Sequence, residues 1–254
     1  MKKYRLQVFI FWFLFTFGVI SCYGVFYLAS VGYFGDMPDF RQLENPKTNF
    51  ASEIISSDNK ILGKYYFNDN RTPIEYDEIN PETINALIAI EDERFYSHPG
   101  IDLKATLRAI IFLNQRGGAS TITQQLARQL FVGVRSRNIF QAVTQKIKEW
   151  VIAVRLEKQY TKEEILTMYL NIYDFGYYGD GIKSASNIYF SKEPIDLKIE
   201  ESAMLIGMLQ NSSLYDPIRR PEITKKRRDL VLMQMTKNDY ITEKEEDSLK
   251  SLPL

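Results

Sequence analysis

The feature that most constrains this chain is a run of 30 residues, Leu6 to Gly35, that carries no charge and is dense in Phe, Val, Ile, Leu and Tyr. A bilayer core of roughly 30 Å is crossed by about 20 residues of helix, so the run is long enough to span it. Lys2, Lys3 and Arg5 precede the run, and the next charge is Asp36. That asymmetry places the N-terminus in the cytoplasm and the rest of the chain outside. Tyr23, Tyr27, Tyr33 and Phe34 suit the outer aromatic belt. A cleaved leader has an apolar core of only about 7–15 residues. Val19-Ile20-Ser21-Cys22 approximates a lipoprotein cleavage site, but apolar sequence continues past it through Val31. The reading is therefore a retained anchor, with Cys22 a small apolar residue inside it.

Charge and rare residues exclude other classes. Lys plus Arg (32) and Asp plus Glu (32) cancel, so no general positive field marks a nucleic-acid binder. With one cysteine and one histidine, an internal disulfide and Cys/His zinc sites are ruled out.

After the anchor, residues 36–79 read as an approach segment. Ser52–Ser56 and Ile61–Phe67 flank the polar turn Ser57-Asp58-Asn59-Lys60, which predicts a β-hairpin. Ser57-x-x-Lys60 and Ser57-Asp58-Asn59 formally match two motifs of penicillin-reactive serine enzymes. They overlap in one turn, no Lys-Thr-Gly follows, and Lys47-Thr48-Asn49 does not replace it, so both matches are read as turn composition.

From Asn80 onward the pattern is helical. Asn80, Pro81 and Glu82 open a helix whose apolar face is Ile84, Leu87, Ile88 and Ile90. It runs into Glu91-Asp92-Glu93-Arg94, where acids meet the negative end of the helix dipole at a cost of about 0.3–1 kcal/mol each. A second helix is expected from Leu103 to about Asn114, ended by Gln115-Arg116-Gly117-Gly118-Ala119. Ser120 or Thr121 then caps a third, Thr121–Leu130, whose N-terminus is a ready anion site. Gln145–Lys158 reads as an amphipathic helix on which Lys146 and Glu149 are surface neighbours. Thr161-x-x-Glu164 is a capping box. Gly176, Gly179 and Gly181 mark a loop, Ile199–Gln210 a buried helix, and Thr242-x-x-Glu245 a last short helix. The basic cluster Arg219, Arg220, Lys225, Lys226, Arg227 and Arg228 suits either anionic headgroups or a solvated helix face. These signals predict a mainly α protein.

Five segments occur in order: EDERFYSHPGID (Glu91–Asp102), GGASTITQQLARQLF (Gly117–Phe131), QKIKEWVIAVRLEKQYTKEEILTMYLN (Gln145–Asn171), FGYYGDGIKSASNIYFSK (Phe175–Lys192) and EESAMLIGMLQNSSLYDPIRRPE (Glu200–Glu222). Together they resemble the five motifs of family 51 glycosyltransferases. These are the peptidoglycan polymerases that form the N-terminal module of class A penicillin-binding proteins or act as monofunctional transglycosylases. The approach segment is similar to that of Bacteroidetes class A proteins, in which a transpeptidase domain is expected to follow. The resemblance implies a mainly α, lysozyme-like fold with a small membrane-associated jaw. Its expected divisions are an anchor over 1–35, an approach over 36–79, a glycosyltransferase domain over 80–235 and a helical tail over 236–254.

The implied activity is polymerisation of lipid II into β-1,4-linked glycan at the outer face of the cytoplasmic membrane, in cell-wall synthesis. Its partners would be lipid II, the growing glycan strand, the membrane and other cell-wall synthesis proteins, with no nucleic acid. By the family motifs, Glu91 is the general base and Glu149 assists. Arg128 and Lys146 contact the pyrophosphate, and Ser120, Thr121, Gln124 and Gln125 line the cleft. A divalent cation, Mg2+ or Mn2+, is expected to assist, with Asp92 as its ligand. Two departures stand out: Gln145 occupies a position the family fills with a basic residue, and Arg135 or Arg137 replaces a phosphate-binding arginine. His98 fits a role in shaping its loop. Two other readings are a lysozyme-like hydrolase and a catalytically silent, membrane-anchored glycan-binding scaffold. The basic cleft argues against the first and the retained Glu91 and Glu149 against the second.

Overall fold

The structure, a computed structural model, describes residues 2–35, 37–38, 52–58, 61–65, 71–112, 118 and 120–254. Helix α1 spans Lys2–Ser30, and its stretch Tyr4–Ser30 is long and apolar enough to cross a membrane. Its polar interruption is satisfied internally, because the Thr16 hydroxyl donates to the Trp12 carbonyl at 2.8 Å, as a lipid environment demands. The side chain of Cys22 lies outside the described residues.

Strands β1 (Ser52–Ile55) and β2 (Ile61–Tyr65) form the expected antiparallel hairpin. Ser52 faces Tyr65 and Ile54 faces Gly63, with a register slip between Ile54 and Ile55. Asn59, Lys60 and Lys47-Thr48-Asn49 lie outside the described residues, so the two serine-enzyme look-alikes receive no structural account.

The main helical body begins with α2 (Pro81–Glu91), where the Asn80 side chain accepts from the Glu82 amide at 2.8 Å. Helix α3 is Leu103–Ile111. Residues 113–117 and 119, which carry most of the expected Gly-Gly break, are not described. Thr121 rather than Ser120 caps α4 (Ile122–Ala127). The regular helix expected to reach Leu130 instead widens into a π-turn over Arg128–Val132. Helix α5 starts at Ile139, upstream of the expected Gln145, because Asn138 accepts from the amides of Phe140 and Gln141. It ends at Gln159, and the Thr161/Glu164 capping box opens α6 (Lys162–Ile172). Then come α7 (Gly181–Phe190), α8 (Ile199–Met208), α9 (Pro221–Lys237) and α10 (Glu243–Ser251), the last opened by the Thr242/Glu245 box.

The protein is mainly α. Helix α8 packs on α9 and α2, while α4 packs on α5 and α6. Leu87, Phe95, Leu126, Leu156, Tyr169, Phe175, Leu205 and Leu232 form one buried core among these helices. Helix α1 lies against α5: the rings of Phe26 and Trp150 stack with centroids 5.8 Å apart. Arg155 donates to the carbonyls of Ser30 at 2.9 Å and Pro38 at 3.4 Å.

The basic cluster on α9 divides in a way that neither of its sequence readings anticipates. Thr224, Arg228, Val231, Leu232 and Met235 are the helix's buried residues, so the helical period carries Arg228 into the apolar face. With 1% of its surface exposed, Arg228 donates to the carbonyls of Pro253 (2.6 Å) and Leu252 (3.0 Å), which follow α10. Lys225 donates to the carbonyl of Lys250 at 2.5 Å. These cations satisfy C-terminal carbonyls that a helix leaves without partners.

Candidate active site

Glu91 is the last residue of α2. Its side chain is held from two sides. Gln125 on α4 donates its Nε2 to Glu91 Oε2 at 2.7 Å, and the Arg227 guanidinium on α9 stands 3.9 Å from Oε1. Both contacts offset the helix dipole that disfavours a carboxylate at this end. Gln125 is in turn fixed by the buried Tyr169 of α6, whose hydroxyl donates to Gln125 Oε1 at 2.9 Å. Burial pushes the Tyr169 phenol well up from its ordinary value, and the neighbouring Glu91 charge adds to the rise. Tyr173 is pushed up to about 12 by burial first and by Glu91 second. Both phenols therefore stay neutral and can donate.

Beside Glu91 opens a cavity of about 300 Å³ whose walls include Asp92, Arg94, Arg108, Ser120 and Lys237. Ser120 links it to a second cluster. The Lys146 ammonium donates to Ser120 Oγ at 2.8 Å, Gln124 Oε1 at 3.1 Å and Glu149 Oε2 at 2.8 Å. Gln124 and Gln125, adjacent on α4, thus hold the surroundings of Glu149 and Glu91 respectively. Burial draws Lys146 down from the usual lysine value, Glu149 partly counters this, and Arg128 and Arg135 push it down further. Arg128 opens the π-turn, and its amide is shared between the carbonyls of Gln124 and Gln125. Such widened turns are frequent at functional sites.

Lys146 also lines a third space, a cavity of about 440 Å³ walled by Ile139, Val143, Ile147 and Trp150, with Arg135 and Arg137 at its edge. It is mostly apolar, and Trp150 is the residue that stacks on Phe26 of α1. Arg137 therefore belongs to the basic lining of this cavity and, among the described residues, does not line the one beside Glu91.

Two expected site residues are occupied structurally. Thr121 is buried, donating to the Gly100 carbonyl at 2.7 Å while capping α4. Asp92 is buried as well; both its oxygens lie 3.0 Å from His98 Nε2, and Oδ2 also accepts from the Ile122 amide at 3.2 Å. His98 thus shapes the motif-one loop, as the sequence suggested. Asp92 does not fit a cation site, and among the described residues no group of three or more His, Cys, Asp or Glu gathers to hold a metal. Gln145 serves the turn before α5, accepting from the Ser136 amide at 2.8 Å and donating to the Val134 carbonyl at 3.1 Å.

The sequence reading missed Tyr169 and Arg227. Tyr169 carried only the signal of an aromatic on a core helix, and Arg227 was hidden in the basic cluster.

The model of the transglycosylase family matches residues 58–236, a span that contains Glu91, Gln125, Lys146, Glu149 and Arg227. The chain belongs to the transglycosylase family. It is 34% identical over 241 residues to penicillin-binding protein 1A of Vibrio cholerae, covering 93% of this chain and 28% of that one. With penicillin-binding protein 1F of Bacillus subtilis it shares 39% identity over 199 residues, 77% of this chain and 27% of the relative. A 2.6 Å crystal structure of penicillin-binding protein 1A from Haemophilus influenzae is similar at 21% identity with a TM-score of 0.46, covering 82% of this chain and 21% of that one. The transglycosylase chain thus spans little more than a quarter of the curated relatives it matches.

Proposed function

We propose that this chain is a peptidoglycan glycosyltransferase that extends β-1,4 glycan from lipid II at the outer face of the cytoplasmic membrane. The observation that carries the reading is the arrangement around α4. On one side is a carboxylate, Glu91, lining a polar cavity; on the other, Lys146, paired with Glu149, lines an apolar cavity whose Trp150 stacks on α1. A substrate with a sugar, a pyrophosphate and a polyprenyl tail has this same polar-to-apolar order.

In the proposed step, Glu91 takes the proton of the acceptor sugar's 4-hydroxyl as its oxygen attacks C1 of the donor. The C1–O bond to pyrophosphate breaks, and the lipid pyrophosphate leaves with its charge met by Lys146, Arg128 and the arginines at positions 135 and 137. One displacement inverts the anomeric centre and forms no covalent enzyme intermediate. Glu149 holds Lys146 toward Ser120 and Gln124. The exposed apolar residues Leu103, Leu107 and Ile111 of α3, and Ile139, Phe140 and Val143 of α5, suit contact with lipid near the anchor, with Lys2, Lys3 and Arg5 on the cytoplasmic side.

Purified protein in detergent, given lipid II, is expected to make glycan chains and release polyprenyl pyrophosphate. Cleavage of preformed glycan without polymerisation would overturn the reading in favour of the hydrolase.

Lys146 supplies a pH test. Because its proton is held less tightly than an exposed lysine's, its charge is lost at lower pH, and the alkaline limb of the polymerisation rate should fall early. Lys146→Arg, whose guanidinium stays charged, should carry that limb to higher pH. Initial rates between about pH 7 and 10 decide it: coincident limbs in the two proteins would remove Lys146 from the pyrophosphate contact.

A further inference from the structure

We infer that Arg227 is the positioning residue for the Glu91 carboxylate, and that Glu91 Oε1 is the oxygen that receives the acceptor's proton. The inference rests on the assignment of Glu91 as base made above. Oε2 is already taken by Gln125 at 2.7 Å, so its capacity for a further hydrogen bond in the cavity is reduced. Oε1 faces Arg227 at 3.9 Å, too far for a hydrogen bond. The guanidinium therefore attracts this oxygen by charge without occupying it.

Arg227 is itself rigidly placed. Its side chain is 10% exposed, its Nε donates to the Gly207 carbonyl at 3.2 Å, and its guanidinium lies over the Tyr215 ring at 5.5 Å. Gly207 makes this path available: a Cβ there would stand 3.1 Å from Arg227 Cγ. A cation fixed by a glycine, a carbonyl and an aromatic face is poised to hold the carboxylate in one orientation, and small displacements of a catalytic group cost much of the rate. The neighbouring Arg228 has a separate task, since it holds the segment after α10.

The test measures kcat and KM for lipid II polymerisation by the full chain in detergent, with Tm as a control. Arg227→Met is expected to lower kcat about tenfold with KM within about twofold, and Arg227→Lys to recover to within about threefold of the original. Gly207→Ala, which keeps the charge but displaces it, should lower kcat about threefold. In a Glu91→Gln background, Arg227→Met should lower the residual rate no further, since the two residues act as one unit. An unchanged kcat in Arg227→Met, or an equal loss with and without Glu91, overturns the inference. Should Arg227→Met fail to fold, wild-type kcat in both Arg227→Lys and Gly207→Ala overturns it. If Glu91→Gln alone keeps its full rate, it is the base assignment that fails.

Discussion

Replacement of Glu91 by Gln is expected to lower the polymerisation rate by about 10²–10⁴-fold, the range a positioned base contributes, with little change in KM. The amide has the shape of the carboxylate, and its oxygen can still accept from Gln125, so the geometry around α4 should survive. What disappears is the capacity to take a proton, because an amide is not a base at neutral pH. The Lys146, Ser120, Gln124 and Glu149 cluster would remain, since none of its hydrogen bonds involves Glu91. Substrate binding should therefore persist while turnover stops. Initial rates of lipid II consumption, with Tm alongside, give the answer; a rate within about threefold of the original would mean that another group accepts the proton.

The second large effect concerns folding. Gly181 opens α7 with φ at +80°, and a Cβ there would stand 2.6 Å from the Asn171 carbonyl oxygen. Gly181→Ala thus combines a left-handed backbone with a collision against main chain, and neither can be relieved by turning a side chain. Asn171 cannot move freely, because its side chain accepts from the Ile74 amide at 3.2 Å and donates to the Ile74 carbonyl at 2.9 Å. A loss of about 3 kcal/mol is expected, a fall in Tm of roughly 10 °C for a chain of this size. Gly118, with nothing among the described residues within 4 Å of its would-be Cβ, provides the control, and Gly118→Ala should stay within about 0.5 kcal/mol. Equal stability of the two variants would show that the motif-four turn can adopt another backbone.

The parts of this protein legible in its sequence are those set by local rules. Thr161 with Glu164, and Thr242 with Glu245, form the capping boxes their spacing announces. Lys146 and Glu149, one helical turn apart, form the ion pair that an i,i+3 spacing allows. Other features depend on what meets across the fold. Nothing local tells Arg227 from Lys226; only the packing of α9 against α8 and α2 turns one toward Glu91. Tyr169 looks like a core aromatic until α6 brings its hydroxyl to Gln125. The start of α5 was misplaced because Ile139, Phe140 and Val143 are exposed, which blurs the amphipathic period from which a helix is recognised. The π-turn at Arg128 has no compositional mark, since Arg-Gln-Leu-Phe-Val would suit an ordinary helix equally well.

The contact of α1 with α5 fixes something beyond attachment. Trp150, which stacks on Phe26 of α1, adjoins Glu149 in the chain, and Arg155, which donates to the Ser30 carbonyl at the end of α1, is about 14 Å from Lys146 along the same helix. With α1 in a membrane, α5 would act as a depth gauge between lipid and the cluster around Glu149. On the proposed function, Glu149 and Lys146 would then be kept at one height above the bilayer, matched to a pyrophosphate whose lipid tail holds it at the surface.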